Sequence, residues 1–257
     1  NTIRDALKCN NSIIYKNLND YIYKFPEDYK FLKKFLKIDI CEVFFADKLI
    51  LIEGTSERLL IPQIINNMNF NKKFKDEKDN LSSQYFSLIE IGGAHAYRFI
   101  NFVNYLNIPT LILCDIDSAI KKDGKYTKEL YSKSEYSTNS TIKHWLGADG
   151  YVTLQKLNSL SNVDKTKYFC HIEYQNIENG YCGRSLEESI INVNRNYYDL
   201  GKDISESELD YKAHKVSKTD FAIDLLINNP NFIAPNYIEN GLSWLDDPNL
   251  GGIDDKL

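Results

Sequence analysis

The sequence predicts an α/β fold in which a mostly parallel β-sheet is covered by helices on both faces. Short apolar runs alternate along the chain with segments whose apolar residues recur at helical spacing, and glycine-marked turns separate them. Alternating strands and helices of this kind build parallel sheets with both faces covered. With 257 residues the chain is long enough to bury a substantial core. We therefore expect one large α/β domain, with or without a smaller satellite.

The predicted elements follow a regular order along the chain. Residues 1–46 have apolar residues at mostly helical intervals, with a break near Pro26, and predict a helical lead-in to a main domain of residues 47–257. The polar residues 118–165 predict an inserted, satellite region of helical character, with one helix near 141–146. The remaining predicted strands cover residues 49–52, 85–91, 110–114 and 167–174, and the remaining helices follow Gly54, cover 94–106, begin near Ser185, and cover 219–227 and 234–245.

Charge and cysteine content exclude some functional classes. The formal net charge of -5 argues against a protein that coats nucleic acid through its overall field, although a local basic path stays open. The five cysteines have no CxxC spacing, and no run resembles a signal peptide or an apolar span of about 20 residues. We therefore expect free thiols in a cytoplasmic protein that does not enter a membrane.

Acidic residues follow two of the predicted strands. Glu53 comes after the first strand of the main domain, and Asp115 and Asp117 come after the third. Ligands of such sheets gather at the carboxyl ends of the strands, so we expect these carboxylates to lie together. Residues i and i+2 of an extended chain point to the same side, which predicts that Asp115 and Asp117 face one cation while Ile116 packs the other way.

Crowded carboxylates predict a bound cation. Neighbouring carboxylates raise the pKa of one another and resist ionisation unless a cation neutralises them. Oxygen ligands favour Mg²⁺ or Mn²⁺, whereas the lack of clustered Cys or His disfavours Zn²⁺. For each acid taken alone, the alternative is a plain turn or cap residue at the end of a strand.

Two motifs together resemble a known signature. The stretch LIEGTSE around Glu53 and the stretch LCDID around Asp115 and Asp117 resemble, in this order and separation, the signature of the TOPRIM fold. That fold occurs in topoisomerases, primases and nucleases of the OLD (overcoming lysogenization defect) family. The resemblance implies a TOPRIM, Rossmann-like sheet for the main domain.

Further motifs resemble the OLD nucleases of class 2, the Gabija-like group. Glu57 in EGTSE resembles their additional glutamate, and Ser185 and Glu187 in GRSLEESI resemble their Ser-x-Glu motif. Lys218 in KVSKTDFAI resembles their late lysine, and the ending PNYIENGLSWL is similar to their C-terminal segment. The resemblance covers residues from about 48 to 245, with unlike sequence between the motifs.

The resemblance implies a nuclease with two metal ions. One ion would activate water, and the second would stabilise the leaving oxygen. Mg²⁺ or Mn²⁺ is expected, with Ca²⁺ as a non-activating substitute, and the spacing leaves open which acid binds which ion. The implied metal ligands are Glu53, Glu57, Asp115, Asp117, Ser185 and Glu187.

Two kinds of catalytic side chain are implied in addition to the ligands. Glu53 or Glu57 would accept the proton of the attacking water. Lys218 would neutralise the charge that builds up on the phosphate in the transition state.

Helix capping leaves one ligand assignment open. Ser185 and Glu188 fit a capping box, with Ser at the N-cap and Glu at the third helical position. If Glu188 caps the helix, Glu187 in the first turn is free to face the metals. Glu188 as the ligand is the alternative.

The resemblance also implies a substrate and partners. DNA is the expected substrate, RNA such as tRNA is the nearest alternative, and a non-catalytic interaction module is the alternative of a different class. OLD-family proteins carry an N-terminal ABC-type ATPase, whose Gly-x-x-x-x-Gly-Lys loop is absent from this sequence, so we expect a fragment that lacks the ATPase and does not bind ATP. Full-length relatives form homodimers or higher oligomers, and some pair with a helicase-like partner in antiviral defence.

Overall fold

The computed structural model describes residues 2–5, 13–35, 40–76, 80–91, 95–247 and 250. Within these residues the chain forms thirteen strands and ten α-helices. The strands are β1 (Thr2–Asp5), β2 (Ile13–Lys16), β3 (Lys48–Ile52), β4 (Phe86–Glu90), β5 (Thr110–Cys114), β6 (Ser118–Lys122), β7 (Lys125–Lys128), β8 (Tyr136–Ser137), β9 (Val152–Thr153), β10 (Thr166–Lys167), β11 (Cys170–Tyr174), β12 (Ile177–Glu178) and β13 (Tyr181–Cys182). The helices are α1 (Leu18–Lys24), α2 (Pro26–Phe35), α3 (Thr55–Phe70), α4 (Tyr97–Leu106), α5 (Ser140–Trp145), α6 (Leu154–Asn158), α7 (Leu186–Val193), α8 (Glu206–His214), α9 (Lys218–Asn228) and α10 (Asn236–Asp246).

A five-stranded sheet forms the centre of the main domain. Its strand order is β4-β3-β5-β11-β10, in which the first four strands are parallel and β10 pairs antiparallel to β11. Strands β3, β5 and β11 are buried along their whole length, as expected for parallel strands covered on both faces. The predicted α/β fold with a mostly parallel sheet is confirmed.

Alternate residues of the strands divide the core between the two faces of the sheet. Leu49 and Leu51 of β3 pack into a cluster with the lead-in helices, α4 and the insertion, whereas Ile50 and Ile52 pack into a second cluster with α3, α7, α9 and α10. Side chains of a strand point alternately to opposite faces, so both faces of a buried strand must be apolar. The central strands are therefore packed from both faces, and their carboxyl ends lie along one edge of the sheet.

The lead-in differs in part from its prediction. It begins with the antiparallel pair β1–β2, which corrects the expectation of helix at this point, and continues with the two helices α1 and α2. Short apolar runs do not distinguish strand from helix, which explains the error. The predicted break is confirmed, because Pro26 is the first residue of α2, where a missing N–H costs nothing. Residues 6–12 and 36–39 of the lead-in lie outside the described residues.

The insertion connects two adjacent strands of the sheet, β5 and β11. The predicted helix near 141–146 is α5, and a second short helix, α6, follows. The framework of the insertion is a four-stranded antiparallel sheet of order β7-β6-β8-β9, where helical character was expected. Two of these strands have only two residues each, too short to show an alternating pattern in the sequence.

The later helices agree with the sequence analysis, with one addition. Helices α7, α9 and α10 begin within two residues of their predicted starts. Helix α4 begins at Tyr97, and its predicted first residue, 94, lies outside the described part of the chain. Helix α8 was not predicted, because only Leu209 and Ala213 of its nine residues are buried, which leaves a weak apolar pattern. In the part of the chain that the structure describes, no helix has the length and apolar character needed to cross a membrane.

Candidate metal centre

Two acids meet at the carboxyl edge of the sheet. Glu53 follows β3 and Asp115 follows β5, and these strands are parallel neighbours with Leu51 opposite Ile112. The backbone N–H of Asp115 donates to Glu53 Oε1 at 3.4 Å. The structure thus brings together the first two predicted site residues, by the strand-end geometry on which the prediction depended.

Asp117 reaches the same place by a turn. Its φ angle is 45°, so the chain is not extended at this residue, and the argument that positions i and i+2 point to one side is wrong here. Asp and Asn tolerate this left-handed conformation better than most residues. Ile116 is fully buried in the core, as expected, and its N–H donates to Gln175 Oε1 at 2.7 Å.

Asn139 of the insertion joins the three acids. Its Nδ2 donates to Glu53 Oε1 at 2.8 Å and to the Asp115 carbonyl oxygen at 2.9 Å, and lies 3.2 Å from Asp117 Oδ2. Its Oδ1 caps α5 by accepting from the backbone N–H of Thr141 at 2.9 Å. Because the oxygen is engaged by the helix, the amino group must face the acids.

Gln175 holds Asp115 in the same manner from the other side. Its Nε2 donates to Asp115 Oδ1 at 2.6 Å, while its Oε1 accepts the N–H of Ile116. The sequence analysis missed both amides. Gln175 directly follows β11, so the strand-end rule that selected Glu53 and Asp115 would also have selected Gln175, whereas the position of Asn139 in the insertion gave no such signal.

Three helices bring further charged side chains to the cluster. Glu57 lies in the first turn of α3, Glu187 in the first turn of α7, and Lys218 is the first residue of α9. The Oγ of Ser56 donates to Glu187 Oε1 at 2.5 Å, and Lys218 Nζ lies 3.7 Å from the same oxygen. A Cβ added to Gly54 would lie 3.4 Å from Glu57 Oε2 and 3.8 Å from Lys218 Nζ, so Glu57 and Lys218 approach the same turn.

We call Glu53, Glu57, Asp115, Asp117, Glu187 and Lys218 the acid cluster. Ser185 has a different place: it is the N-cap of α7, where its Oγ accepts from the N–H of Glu188 at 3.4 Å. The predicted cap is present, but the carboxylate of Glu188 accepts from the N–H of Arg184 at 3.0 Å and from the hydroxyl of Tyr181. The reciprocal bond of a capping box, from the N–H of Ser185 to the Glu188 carboxylate, is absent, and Glu188 Oε1 is buried without a hydrogen-bond partner among the described residues.

Glu188 belongs to a second group of polar side chains. One ligand atom each from Glu188, Asp210 and His214 lie within 4.8 Å of one another. Cationic side chains already lie beside this group: Arg184 Nη1 is 3.7 Å from Asp210 Oδ1, and Lys128 Nζ is 3.4 Å from His214 Nε2. The acid cluster, by contrast, has an excess of carboxylates over the single Lys218.

Burial and mutual repulsion raise the pKa of the clustered acids. Loss of solvent raises the pKa of Glu53 from 4.5 to about 7, and the charges of Asp117 and Glu57 add to this against the hydrogen bond from Asn139. Burial likewise raises the pKa of Asp115 well above its ordinary value, with Glu57 and Glu53 contributing. The pKa values of Glu57 and Asp117 are also raised, mainly by burial. Without a cation, burial and repulsion therefore favour the protonated forms of these four acids.

The raised pKa of Lys218 favours its charged form, whereas the raised pKa values of the acids favour their neutral forms. Burial lowers the pKa of its ammonium group, but the charges of Glu187 and Asp115 outweigh this effect, and the pKa is raised above 10.5. Lys218 thus stays charged and compensates part of the negative charge. About half of its side chain is exposed, at 51%, so the ammonium group is accessible from solvent.

The donor set fits a hard divalent cation. Glu57 Oε2 is buried and has no hydrogen-bond partner among the described residues, which is costly for a carboxylate oxygen unless a cation completes its environment. The clustered donors are carboxylate oxygens, the ligands that Mg²⁺ and Mn²⁺ prefer. Among the described cysteines, Cys114, Cys170 and Cys182 are free and buried, and none belongs to such a set. Cys9 lies outside the described residues, as does the side chain of Cys41.

A parallel sheet with a glutamate after one strand and an Asp-x-Asp sequence after its neighbour, all at one edge, defines a TOPRIM domain. Residues 44–117 match the family described as "Overcoming lysogenization defect protein-like, TOPRIM domain". Residues 44–117 thus match a TOPRIM domain of the OLD-like type, and the resemblance read from the motifs is confirmed.

Curated relatives extend the similarity along the chain. The Endonuclease GajA of Bacillus cereus (strain HuB5-5) is 30% identical over 278 residues, which cover 95% of this chain and 38% of the relative. The Endonuclease GajA of Bacillus cereus (strain VD045) is 28% identical over 112 residues, which cover 44% of this chain and 18% of the relative. The chain therefore spans well under half the length of these relatives.

Solved structures that align with this chain include the C-terminal regions of two OLD proteins. That of Xanthomonas campestris pv. campestris aligns with a TM-score of 0.46 at 16% identity, covering 79% of this chain and 94% of the other. That of Burkholderia pseudomallei aligns with a TM-score of 0.46 at 18% identity, covering 78% of this chain and 97% of the other.

Proposed function

We propose that this chain is a metal-dependent endonuclease that hydrolyses phosphodiester bonds of DNA, as the nuclease part of an OLD-family protein in phage defence. The observation that carries the proposal is the convergence of five carboxylates and one lysine at the carboxyl edge of the sheet. The Endonuclease GajA of Bacillus cereus (strain HuB5-5) supports the same activity, since the match covers 95% of this chain.

The acid cluster would hold two divalent cations, either Mg²⁺ or Mn²⁺. Glu53, Glu57, Asp115, Asp117 and Glu187 are the proposed ligands, and Ser185 stays a predicted sixth. Divalent cations in such sites lower the pKa of water and stabilise negative charge on phosphate oxygens. Neutralisation by cations would also allow the clustered acids to ionise at neutral pH.

The side chains themselves supply positioning and proton transfer. Glu53 or Glu57 would accept the proton of the attacking water, because both carboxylates lie in the acid cluster. Lys218 Nζ, charged and half-exposed beside Glu187, would contact the phosphate and stabilise its developing charge. The side-chain amides of Asn139 and Gln175 would hold the carboxylates in place during proton transfer and during cleavage of the phosphodiester bond.

Cleavage assays test the proposal directly. The chain is incubated with supercoiled plasmid and, separately, with tRNA, in Mn²⁺, Mg²⁺ or EDTA. We expect nicked or linear plasmid with Mn²⁺ or Mg²⁺ and none with EDTA. Asp115→Asn should abolish cleavage, and Lys218→Met should slow it by about 100-fold, the usual cost of losing one charge-stabilising donor.

A surface variant provides the matched control. Glu27 is an exposed acid that pairs with Lys30 on α2, away from the cluster, and Glu27→Gln should cleave like the unmodified chain. Cleavage of tRNA alone would make the chain a ribonuclease. The nuclease proposal fails if neither substrate is cut, or if Asp115→Asn cuts as fast as the unmodified chain.

Partners of the whole protein are a further part of the proposal. We infer from the resemblance an N-terminal ABC-type ATPase domain, a homodimer or higher oligomer at full length, and a helicase-like partner. Light scattering of the full-length protein, alone and with that partner, measures each assembly.

A further inference from the structure

A lysine-rich hairpin leaves the sheet next to the acid cluster. Its first strand, β6, starts one residue after Asp117, and β7 pairs with it in register from Lys122 opposite Lys125 to Ala119 opposite Lys128. The two-residue turn, Asp123–Gly124, has φ angles of 49° and 77°, as tight hairpin turns require. The hairpin is therefore a regular element with a defined direction relative to the acids.

The register sorts the lysines of the hairpin onto two faces. Lys121 and Lys128 share one face with Tyr126, because opposite residues of an antiparallel pair point to the same side. Lys122 and Lys125 share the other face. All four lysines are exposed, and Asp123 in the turn is the one acid between them, although the whole chain has a net charge of -5.

The end of this face that carries Lys128 lies next to the acid cluster. Lys128 lies opposite Ala119, two residues after Asp117, and its Nζ lies 3.4 Å from His214 Nε2 in the neighbouring group of Glu188, Asp210 and His214. At the base of the hairpin, Arg184 Nε donates to Ser118 Oγ at 2.8 Å. Lys128 therefore lies at the base of the hairpin, at the end nearest to Asp117.

Aromatic rings fix this face in place. Tyr126 packs edge-on against Tyr136 and Tyr151, with ring centroids 5.3 Å and 4.5 Å away. Lys121 Nζ lies 5.5 Å from the centroid of the Tyr126 ring, within the range of a cation–π contact. On the opposite face, Lys122 pairs with Glu129 at 3.3 Å, which offsets part of its charge.

We propose that the hairpin face of Lys121 and Lys128 binds the phosphodiester backbone of the nucleic acid beside the phosphate that is cut. This inference rests on the proposed function for its substrate. A polyanion approaching a cluster of carboxylates is repelled, so positive groups must hold it at the rim of the site. Lysines contact phosphates without reading sequence, and two ammonium groups on one supported face would contact successive phosphates and set the direction of the strand.

Two double variants of the same hairpin test the proposal. Lys121→Gln/Lys128→Gln and Lys122→Gln/Lys125→Gln remove the same charge from opposite faces. Binding of a fluorescein-labelled DNA duplex, and of labelled tRNA, is measured by anisotropy in Ca²⁺ over a series of salt concentrations. We expect the first variant to bind about tenfold more weakly, with the slope of log K against log[salt] reduced by about 2, one unit for each lost phosphate contact.

Lys122→Gln/Lys125→Gln should bind within about twofold of the unmodified chain, because these two lysines lie on the face opposite to the proposed binding face. Equal weakening by both variants, or no weakening by the first, would overturn the proposal. Circular dichroism of each variant confirms that the hairpin change leaves the fold intact. Binding that depends on Lys121 and Lys128 without any cleavage would contradict the nuclease proposal alone, so the two failures are distinguishable.

Discussion

Asn139 and Gln175 each place a side-chain amino group beside a carboxylate of the acid cluster. Each amide oxygen accepts a backbone N–H, which turns the amino group towards a carboxylate of the acid cluster. An amino group placed among carboxylates reduces their repulsion without contributing a full charge. Sequence reasoning concentrates on ionisable groups, so these two neutral residues escaped it, while five of the six predicted ligands proved to lie together.

Substitution of Asn139 separates its two roles. Asn139→Asp keeps a good N-cap for α5 but replaces the donor with a negative oxygen beside Glu53 and Asp117. We expect it to lose about 1–3 kcal/mol of unfolding free energy in EDTA, the usual cost of an unpaired buried group, and to recover it in Mn²⁺. Urea unfolding in both media measures the difference.

The same change at an exposed cap is the control for this variant. Asn17 caps α1 by accepting the N–H of Asn19 at 3.0 Å, away from the cluster, and Asn17→Asp should change stability by less than about 0.5 kcal/mol. If Asn139→Asp and Asn17→Asp behave alike in EDTA, Asn139 has only its capping role.

The first turns of two helices place acidic residues in the acid cluster. Glu57 and Glu187 lie in the first turns of α3 and α7, where exposed backbone N–H groups favour carboxylates. These helices were predictable because their apolar faces are strong. The insertion was less so, because two of its strands, β8 and β9, have only two residues each.

Gly183 shows how closely α7 is packed against the chain before it. A Cβ at this position would lie 2.4 Å from Ser189 Oγ and 2.8 Å from the Ser189 backbone nitrogen. Gly183→Ala should therefore displace α7 and Glu187 with it, at a cost of about 1–3 kcal/mol, as for other overpacked sites. Thermal unfolding and Mn²⁺ titration calorimetry would record lower stability and weaker binding.

Gly201 is the matched control for this substitution. A Cβ at Gly201 meets no atom within 4 Å, so Gly201→Ala should leave both measurements unchanged. Unaltered Mn²⁺ binding in a folded Gly183→Ala variant would show that Glu187 does not depend on the placement of α7.

For the whole molecule, the sequence predicted the sheet and its acidic edge well. Long buried runs such as Leu49–Ile52 and their flanking glycines are local signals, and parallel order follows from their alternation with helices. The left-handed turn at Asp117 involves a contact with the insertion, since the Asp117 carbonyl oxygen accepts the N–H of Thr138 at 3.0 Å. The hairpin β6–β7 has a local signal in its Asp123–Gly124 turn that the sequence analysis missed, whereas β8 and β9 are too short to form a pattern.

The acid cluster should make the stability of the metal-free protein depend on pH. The pKa of Glu53 is raised from 4.5 to about 7 on folding, so the folded state binds its proton more tightly than the unfolded state. This stabilisation is complete below the unfolded pKa and is lost as the pH rises through about 7. The raised pKa values of Asp115, Glu57 and Asp117 act in the same direction.

We therefore expect the unfolding free energy in EDTA to fall between about pH 5 and pH 8. Urea unfolding across this range measures it. Glu53→Gln should reduce the slope, whereas Glu27→Gln, at an exposed position on α2, should leave it as it is. Saturating Mn²⁺ should flatten the curve, because a cation holds the acids ionised. A curve in EDTA that is level or rises over this interval would contradict the proposed electrostatics.

The cluster draws its members from widely separated parts of the chain, from Glu53 near the first central strand to Lys218 at the start of α9. During synthesis on the ribosome, the acids of β3 and β5 emerge first, and the compensating lysine emerges only after α7 and α8 have been made. The acid cluster is therefore incomplete while residues 116–217 are being made. The order of the elements along the chain delays assembly of the complete acid cluster until α9 has been reached.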